Sequence, residues 1–520
     1  MSVSTAGVEG NGISNDSQRP AISANGRYIA FSSHASNLAP DDTNGVSDVF
    51  VRDRLTGTTT LISRSTLGVI GDGASDNPSI SADGRFVAFQ SSASNFSTGL
   101  DITGPEIFVH DMQTGVTSKV SLATNGDPAD FPSVEPQISA DGRYVAFRSG
   151  GENLDPNDTN TVDDVFVRDR LLNTTVRVSI SSTGQQASVA CGFPSISADG
   201  RYVAFVTSDN GMVVGDTNGT TDVFVRDLQA NTTTRVSTTS ADAQANGHSS
   251  YPSISADGRY VVFYSSSSNL VAGDTNLFWD VFLKDRQTGV TERVSVGSSS
   301  QQGNGYANIG SISADGRYVA FYSSSGNLVA NDNNGMEDVF VHDRQTDTTI
   351  RVSTSTAGVE GNNHSNWATI SADGKMVAFV SAASNLVADD TNGSLDVFVN
   401  RFGGVALDSL TVSPGVVTGG SGSTGTVHLV EAADPGGVIV SLSSGNAAVS
   451  VPASAFVPEG SASADFAITT SPISSPTAVT LTATLDSISR TATLTVRAPI
   501  LTSLTLNPQI QAGSLPSIGR

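Results

Sequence analysis

The sequence predicts an all-β protein: a seven-bladed β-propeller over residues 1–403, closed by its own N-terminal strand, then a β-sandwich over 404–498. Three observations carry this. One motif recurs seven times at a fixed step, and each copy reads as four short strands. The strand missing from the last copy reappears at the start of the chain.

The motif is Ile-Ser-Ala-Asp/Asn-Gly, with its isoleucine at Ile22, Ile80, Ile138, Ile196, Ile254, Ile312 and Ile370, a constant step of 58 residues. The acidic residue opening a later Val-Phe segment keeps the same step. Such a period means stacked structural units that bury their faces against one another.

In the fourth unit, strand A ends at Ile196. Ala-Asp-Gly-Arg follows, and Asp-Gly between apolar runs marks a tight hairpin, because glycine accepts positive φ. Strand B is Tyr202 to Phe205, strand C Asp222 to Asp227, and strand D Thr233 to Ser237. These runs are β-branched and aromatic, too short for helices, and bounded by turn residues. Four antiparallel strands repeated seven times describe a propeller.

The seventh unit stops after strand C, at Arg401-Phe402-Gly403-Gly404. Residues 2–11 (SVSTAGVEGN) repeat residues 352–362 (VSTSTAGVEGN), the stretch around strand D before unit seven. The N-terminal segment is therefore expected to pair with strand C of the last blade, removing two exposed edges.

The stretches Ser197–Phe205 (SADGRYVAF) and Asp222–Asp227 (DVFVRD) resemble the WD40-like, TolB-type propeller repeat (PD40), over residues 1 to about 403. The resemblance implies the fold. It does not select a function, since propellers host many.

Beyond Gly404 the period ends. Runs at 410–412, 426–430, 438–442, 466–469, 478–483 and 491–496 alternate apolar and polar residues between Gly, Pro and Ser turns. About ninety residues of this kind resemble the Ig-like sandwiches of bacterial exported proteins. Residues 501–508 (LTSLTLNP) repeat 407–414 (LDSLTVSP), so a second, truncated Ig-like unit is expected over 499–520.

The chain carries 50 acidic and 27 basic residues, a net charge of −23. Nucleic acid is excluded as a partner on that balance, because phosphate contacts need a basic surface. The single cysteine, Cys191, allows neither an intrachain disulfide nor a cysteine zinc site. No apolar run reaches the length of a membrane span. A monomer outside the cytoplasm, extracellular, at the cell surface or periplasmic, is expected, although no signal peptide stands at Met1.

The A–B and C–D turns are tight, whereas the B–C and D–A connections are long and varied. Binding is expected on that second face, since long loops on rigid scaffolds carry recognition. Six B–C loops carry Asp-x-Asn-x-x-x-Asp: Asp42, Asn44 and Asp48; Asp158, Asn160 and Asp164; Asp216, Asn218 and Asp222; Asp274, Asn276 and Asp280; Asp332, Asn334 and Asp338; Asp390, Asn392 and Asp396. Alternating oxygen ligands suit calcium. The same residues also cap turns through their own side chains. Both readings stand.

The position three before each anchor isoleucine varies: Arg19, Asn77, Glu135, Phe193, Tyr251, Ile309 and Trp367. Phe193, Tyr251 and Trp367, with Phe278 and Trp279 in the fifth B–C loop, are candidate ligand contacts, aromatics being enriched at binding hot spots. Packing onto the blade is the alternative. The residue before the last Asp of strand C (Arg52 and its repeats) is expected to form a structural ion pair with that Asp or to lie at a solvated edge.

No catalytic motif occurs: no G-x-S-x-G, H-E-x-x-H or phosphate-binding loop. The leading expectation is a non-catalytic binding or scaffold protein. Its propeller would take a protein or glycan, and its Ig-like module would act as spacer or adhesive unit. A propeller hydrolase or lyase on polysaccharide or peptide, and a purely structural surface protein, are the alternatives.

Overall fold

Strand B explains why each repeat becomes a blade. In the computed structural model, Tyr202–Thr207 pairs along its whole length with Asp222–Asp227, and five of its six residues are buried. Such a strand is covered on both faces, which is why its sequence runs apolar without alternation. Strand D, at the outer edge, alternates exposed and buried in Thr58–Leu61, as a half-covered edge must.

The structure describes residues 1–15, 18–96, 104–402, 405, 407–430, 432–433, 437–458, 460–485, 488–500 and 503. It divides into two units, Met1–Gly404 and Val405–Arg520. Among the described residues of the first unit, six sheets have the order A-B-C-D, and a seventh has A-B-C alone (Ser365–Ile370, Met376–Ser381, Asp396–Arg401). A short hairpin, Val296–Gly297 with Gln301–Gln302, lies between blades five and six.

The ring closes through its turns. The Ala24 N–H donates to the Ala82 carbonyl (3.0 Å), Ala82 to Ala140 (2.9 Å), Ala140 to Ala198 (3.1 Å) and Ala198 to Ala256 (3.0 Å). Ala314 donates to Ala372 (2.9 Å), and Asp373 donates back to Ala24 (3.1 Å). The structure is a β-propeller on this geometry. Its cores lie between blades: Phe31 and Phe50 of blade one pack with Ala378 and Val397 of blade seven in one cluster.

The first residues do close the last blade, but not as a strand. Ser2 occupies the repeat position of Ser353. Its Oγ donates to Asp396 and accepts the Val397 N–H (3.0 Å), while the Met1 amine donates to the Val397 carbonyl. The body of strand D has no counterpart among the described residues, so the seventh sheet has three strands.

The repeated ion pair has a partner other than the neighbouring residue of strand C. Asp227 takes two bonds from Arg201 of the A–B turn (3.0 and 2.7 Å), and Asp53, Asp111, Asp169, Asp285 and Asp343 are held alike. Adjacent strand residues point to opposite faces, so Arg226 cannot reach Asp227's carboxylate side. Arg168 instead donates to Leu122 and Ala123 carbonyls in the connector leaving the preceding blade, and Lys284 does the same at Thr238 and Thr239.

The second unit places Leu407–Ser413, Ser423–Leu429, Val449–Ser450 and Ser463–Thr470 in one sheet. Val416–Thr418, Val438–Ser444, Ser454–Val457, Thr477–Leu485 and Ile488–Arg497 form the other. Leu410, Val427 and Phe466 of the first share a core with Val440, Leu481 and Leu494 of the second. The expected truncated second unit lies, but for residues 499, 500 and 503, outside the described residues.

Candidate ligand site at the propeller axis

Strand A of each blade lines the axis, and it is not regular there. In blades two to seven its pairing with strand B slips by a bulge. The bulge falls at the variable position identified from sequence. Asn77, Glu135, Phe193, Tyr251 and Trp367 all have φ between 48 and 59°, unfavourable for bulky side chains and typical of positions that aim a side chain at a site. Proline follows four of them (Pro78, Pro136, Pro194, Pro252), which removes a strand donor on the side facing the axis.

Side chains of the preceding blade hold this geometry. Gln18 accepts the Asn77 N–H (2.9 Å), Gln90 the Glu135 N–H (3.2 Å), and the Glu135 carboxylate the Phe193 N–H (2.8 Å). The result is an axial cavity of about 510 Å³, within the usual size range of small-molecule sites. Arg19, Asn77, Glu135, Phe193, Tyr251 and Trp367 all line it. The side chain of Ile309 is outside the described residues.

Glu135, Phe193, Tyr251 and Trp367 line the cavity, and two kinds of side chain stand behind them. Glu135 pairs with Arg148 (3.2 Å), which also approaches Asp163 (3.6 Å). Burial pushes the Glu135 carboxyl above its ordinary range, and Arg148 opposes that shift. Next to this pair four half-buried rings touch in sequence, of which Phe193 and Tyr251 line the cavity. Phe193 and Tyr251 centroids are 4.0 Å apart, Tyr251 and Tyr264 5.6 Å, and Tyr264 and Trp279 4.9 Å. Trp367 lies 6.5 Å from Tyr322. Phe278 stays outside this run, exposed in its loop with its N–H on Asn276.

Sequence reasoning missed the second layer, contributed by strand B: Gln90, Arg148, Tyr264 and Tyr322. The signal was available. The residue after the invariant strand-B phenylalanine reads Ser32, Gln90, Arg148, Val206, Tyr264, Tyr322 and Val380, the most variable place in the strand.

The Asp/Asn loops lie elsewhere and have their own chemistry. Each asparagine turns its amide inward. Asn44 donates to Asp48 (2.7 Å) and to the Gly71 carbonyl (2.9 Å), while its oxygen accepts the Val46 N–H (3.1 Å). Asn218, Asn276, Asn334 and Asn392 repeat the bond to the following aspartate, and Asn160 donates to the Ala187 carbonyl.

In blades three to six an arginine stands between the paired aspartates. Arg177 meets Asp158 and Asp164 at 3.0 and 3.3 Å, and Arg235 meets Asp216 and Asp222 at 3.0 and 3.7 Å. Arg293 meets Asp274 and Asp280 at 3.3 and 3.4 Å, and Arg351 meets Asp332 and Asp338 at 3.5 and 3.3 Å. Blade one has Leu61 at this repeat position, and its nearby cation is Arg64, which pairs with Asp41 (3.0 Å). In blade seven Glu9, Asp390 and Asp396 bring carboxylate oxygens within 4.8 Å of one another. Burial raises Asp390 there to about 6.

No known family profile and no curated protein matches this chain. Solved structures do. A TolB from Agrobacterium tumefaciens is 14% identical over 66% of this chain and 94% of its own, with a TM-score of 0.37. The extracellular domain of a hybrid two-component system from B. thetaiotaomicron is 9% identical over 94% of this chain and 57% of its own, TM-score 0.40. The periplasmic gluconolactonase of Pseudomonas aeruginosa is 18% identical over 69% and 92%, TM-score 0.34.

Proposed function

We propose that this protein is a non-catalytic binding protein whose propeller captures a saccharide in the axial cavity, with the Ig-like module as spacer or adhesive unit, outside the cytoplasm. The observation that carries this is the unbroken run Phe193–Tyr251–Tyr264–Trp279, which leads from the axis to the long B–C loop of blade five. Aromatic faces offer flat apolar area to a sugar ring at low conformational cost, and polar groups beside them fix its orientation. Cleaving a glycoside asks for two carboxyl groups across the bond. Among the described residues lining the cavity Glu135 is the one carboxylate, and Arg148 holds it. That favours capture over hydrolysis.

The test is a glycan and peptide array probed with the full chain and with Trp279→Ala and Trp367→Ala. Glycan signal lost in both variants supports the reading. Signal on peptides alone, or glycan binding untouched by both substitutions, overturns it.

A further inference from the structure

We propose that the saccharide is acidic and that Arg19 receives its carboxylate. This rests on the axial-cavity reading above and names its ligand class.

Arg19 is blade one's contribution to the variable axial ring and lines the cavity. Its side chain is partly exposed, while its buried Nη2 has no hydrogen-bond partner among the described residues. The cavity's carboxylate is not available to it: Glu135 is committed to Arg148 and to the Phe193 N–H. The groups that face Arg19 electrostatically are the phenols of Tyr251, Tyr264 and Tyr322. Burial lowers its pKa to about 10, so it remains a cation at neutral pH.

Among the described residues no carboxylate pairs with Arg19, and a buried cation left without a counter-charge is costly and rarely retained in a fold. It is unexpected in a chain with 50 acidic against 27 basic residues, where a carboxylate partner would be easy to supply. A guanidinium presents parallel N–H donors that match the two oxygens of a carboxylate. The aromatic wall beside it takes the ring that carries this group. Together they fit a uronic acid residue of a saccharide better than a neutral sugar.

The experiment is calorimetric titration of the full chain with tetrasaccharides of galacturonate or glucuronate and with their methyl esters, which keep the ring and lose the charge. The acids are expected to bind more tightly than the esters. Arg19→Gln is expected to weaken the acids about 10- to 100-fold, the range of a charge-assisted hydrogen bond, and to leave the esters unchanged. Arg19→Lys should fall between. Because Arg19→Gln removes an unpaired charge, its Tm should not drop, which separates lost binding from lost fold. Acids and esters binding equally, both weakened by Trp367→Ala, would overturn the role of Arg19 and leave saccharide capture standing. Binding of neither probe, in wild type or variants, would overturn the acidic ligand, while saccharide capture stands or falls on the array.

Discussion

The guanidinium of Arg177 fills the gap between Asp158 (3.0 Å) and Asp164 (3.3 Å), and all three side chains are buried. The protein itself supplies the positive charge that a calcium ion would bring to this loop. Replacing Arg177 with Leu, the residue blade one carries at this place, leaves two buried carboxylates facing each other. Breaking a buried ion pair from one side costs about 3–5 kcal/mol. We expect a corresponding fall in Tm at pH 7, smaller at pH 5, where protonation of one carboxylate relieves the repulsion. Millimolar calcium should leave wild-type blades three to six unchanged. A wild-type calcium shift that survives Asp390→Asn and Asp48→Asn would contradict this assignment.

The paired aspartates also set a pH dependence. Burial raises Asp48, Asp164 and Asp332 to about 6. Between the ordinary carboxylate range, about 4, and about 6, the folded protein therefore holds more protons than the unfolded chain. Stability must rise as pH falls through that window. The turn arginines act the other way, drawing Asp227 and Asp343 down to about 2. Below about pH 4 the unfolded chain takes up protons at these two groups first, and their contribution is lost on the way to about 2. Tm should therefore peak between about pH 4 and 5. Scans at about 1 M salt, where the screening length is about 3 Å, separate this from relief of the net charge. A Tm that falls steadily from pH 7 to 5 would refute it.

The blades are legible in the amino-acid sequence; the variable position is too, but as a loop-face feature and not as a ring around one cavity. A constant step fixes the blades, and variability within a constant frame singles out the axial position. Three things are missed, two because folding creates them and one because its signal lies inside a strand. The Asp53 ion pair is expected next door, at Arg52, but side chains alternate along a strand, and the partner, Arg27, lies 26 residues away in the turn. The Asp/Asn spacing looks like a cation loop until strand D is folded beside it, because Arg177 belongs to a different strand from either aspartate. The strand-B layer of the cavity escapes a reading that looks for variability in loops, because Arg148 and Tyr264 vary inside a strand.

The N-terminal clasp predicts a local effect. Ser2 Oγ both donates to the buried Asp396 and accepts the Val397 N–H (3.0 Å). Ser63 makes the same pair of contacts in blade one, with Asp48 and Val49. Ser2→Ala strands a buried donor and a carboxylate oxygen, a loss of about 1–3 kcal/mol. Hydrogen exchange should then rise along strands B and C of blade seven before it rises in blades three to five. Uniform protection across all blades would show that Ser2 does not hold the closure.

The A–B glycines give the sharpest comparison of one contact in two settings. Gly200 has φ +76° and Gly26 φ +71°, so a side chain is unfavourable at either; that backbone term is about 1–2 kcal/mol for alanine. What an added Cβ would meet differs. At Gly200 it would lie 2.2 Å from the Tyr144 ring of the preceding blade. That ring is fixed, because the guanidinium of Arg143 stacks on it at 4.7 Å. At Gly26 it would lie 2.3 Å from the Met376 sulfur across the closing seam; that sulfur accepts from Arg54 Nη1 (2.8 Å), but an unbranched thioether can shift further than a ring. Overpacking a fixed ring costs about 1–3 kcal/mol more. Gly200→Ala should therefore destabilise the protein by more than Gly26→Ala in urea titration. Equal losses would mean that the methionine at the closing seam is as rigidly packed as the aromatic rings between the other blades.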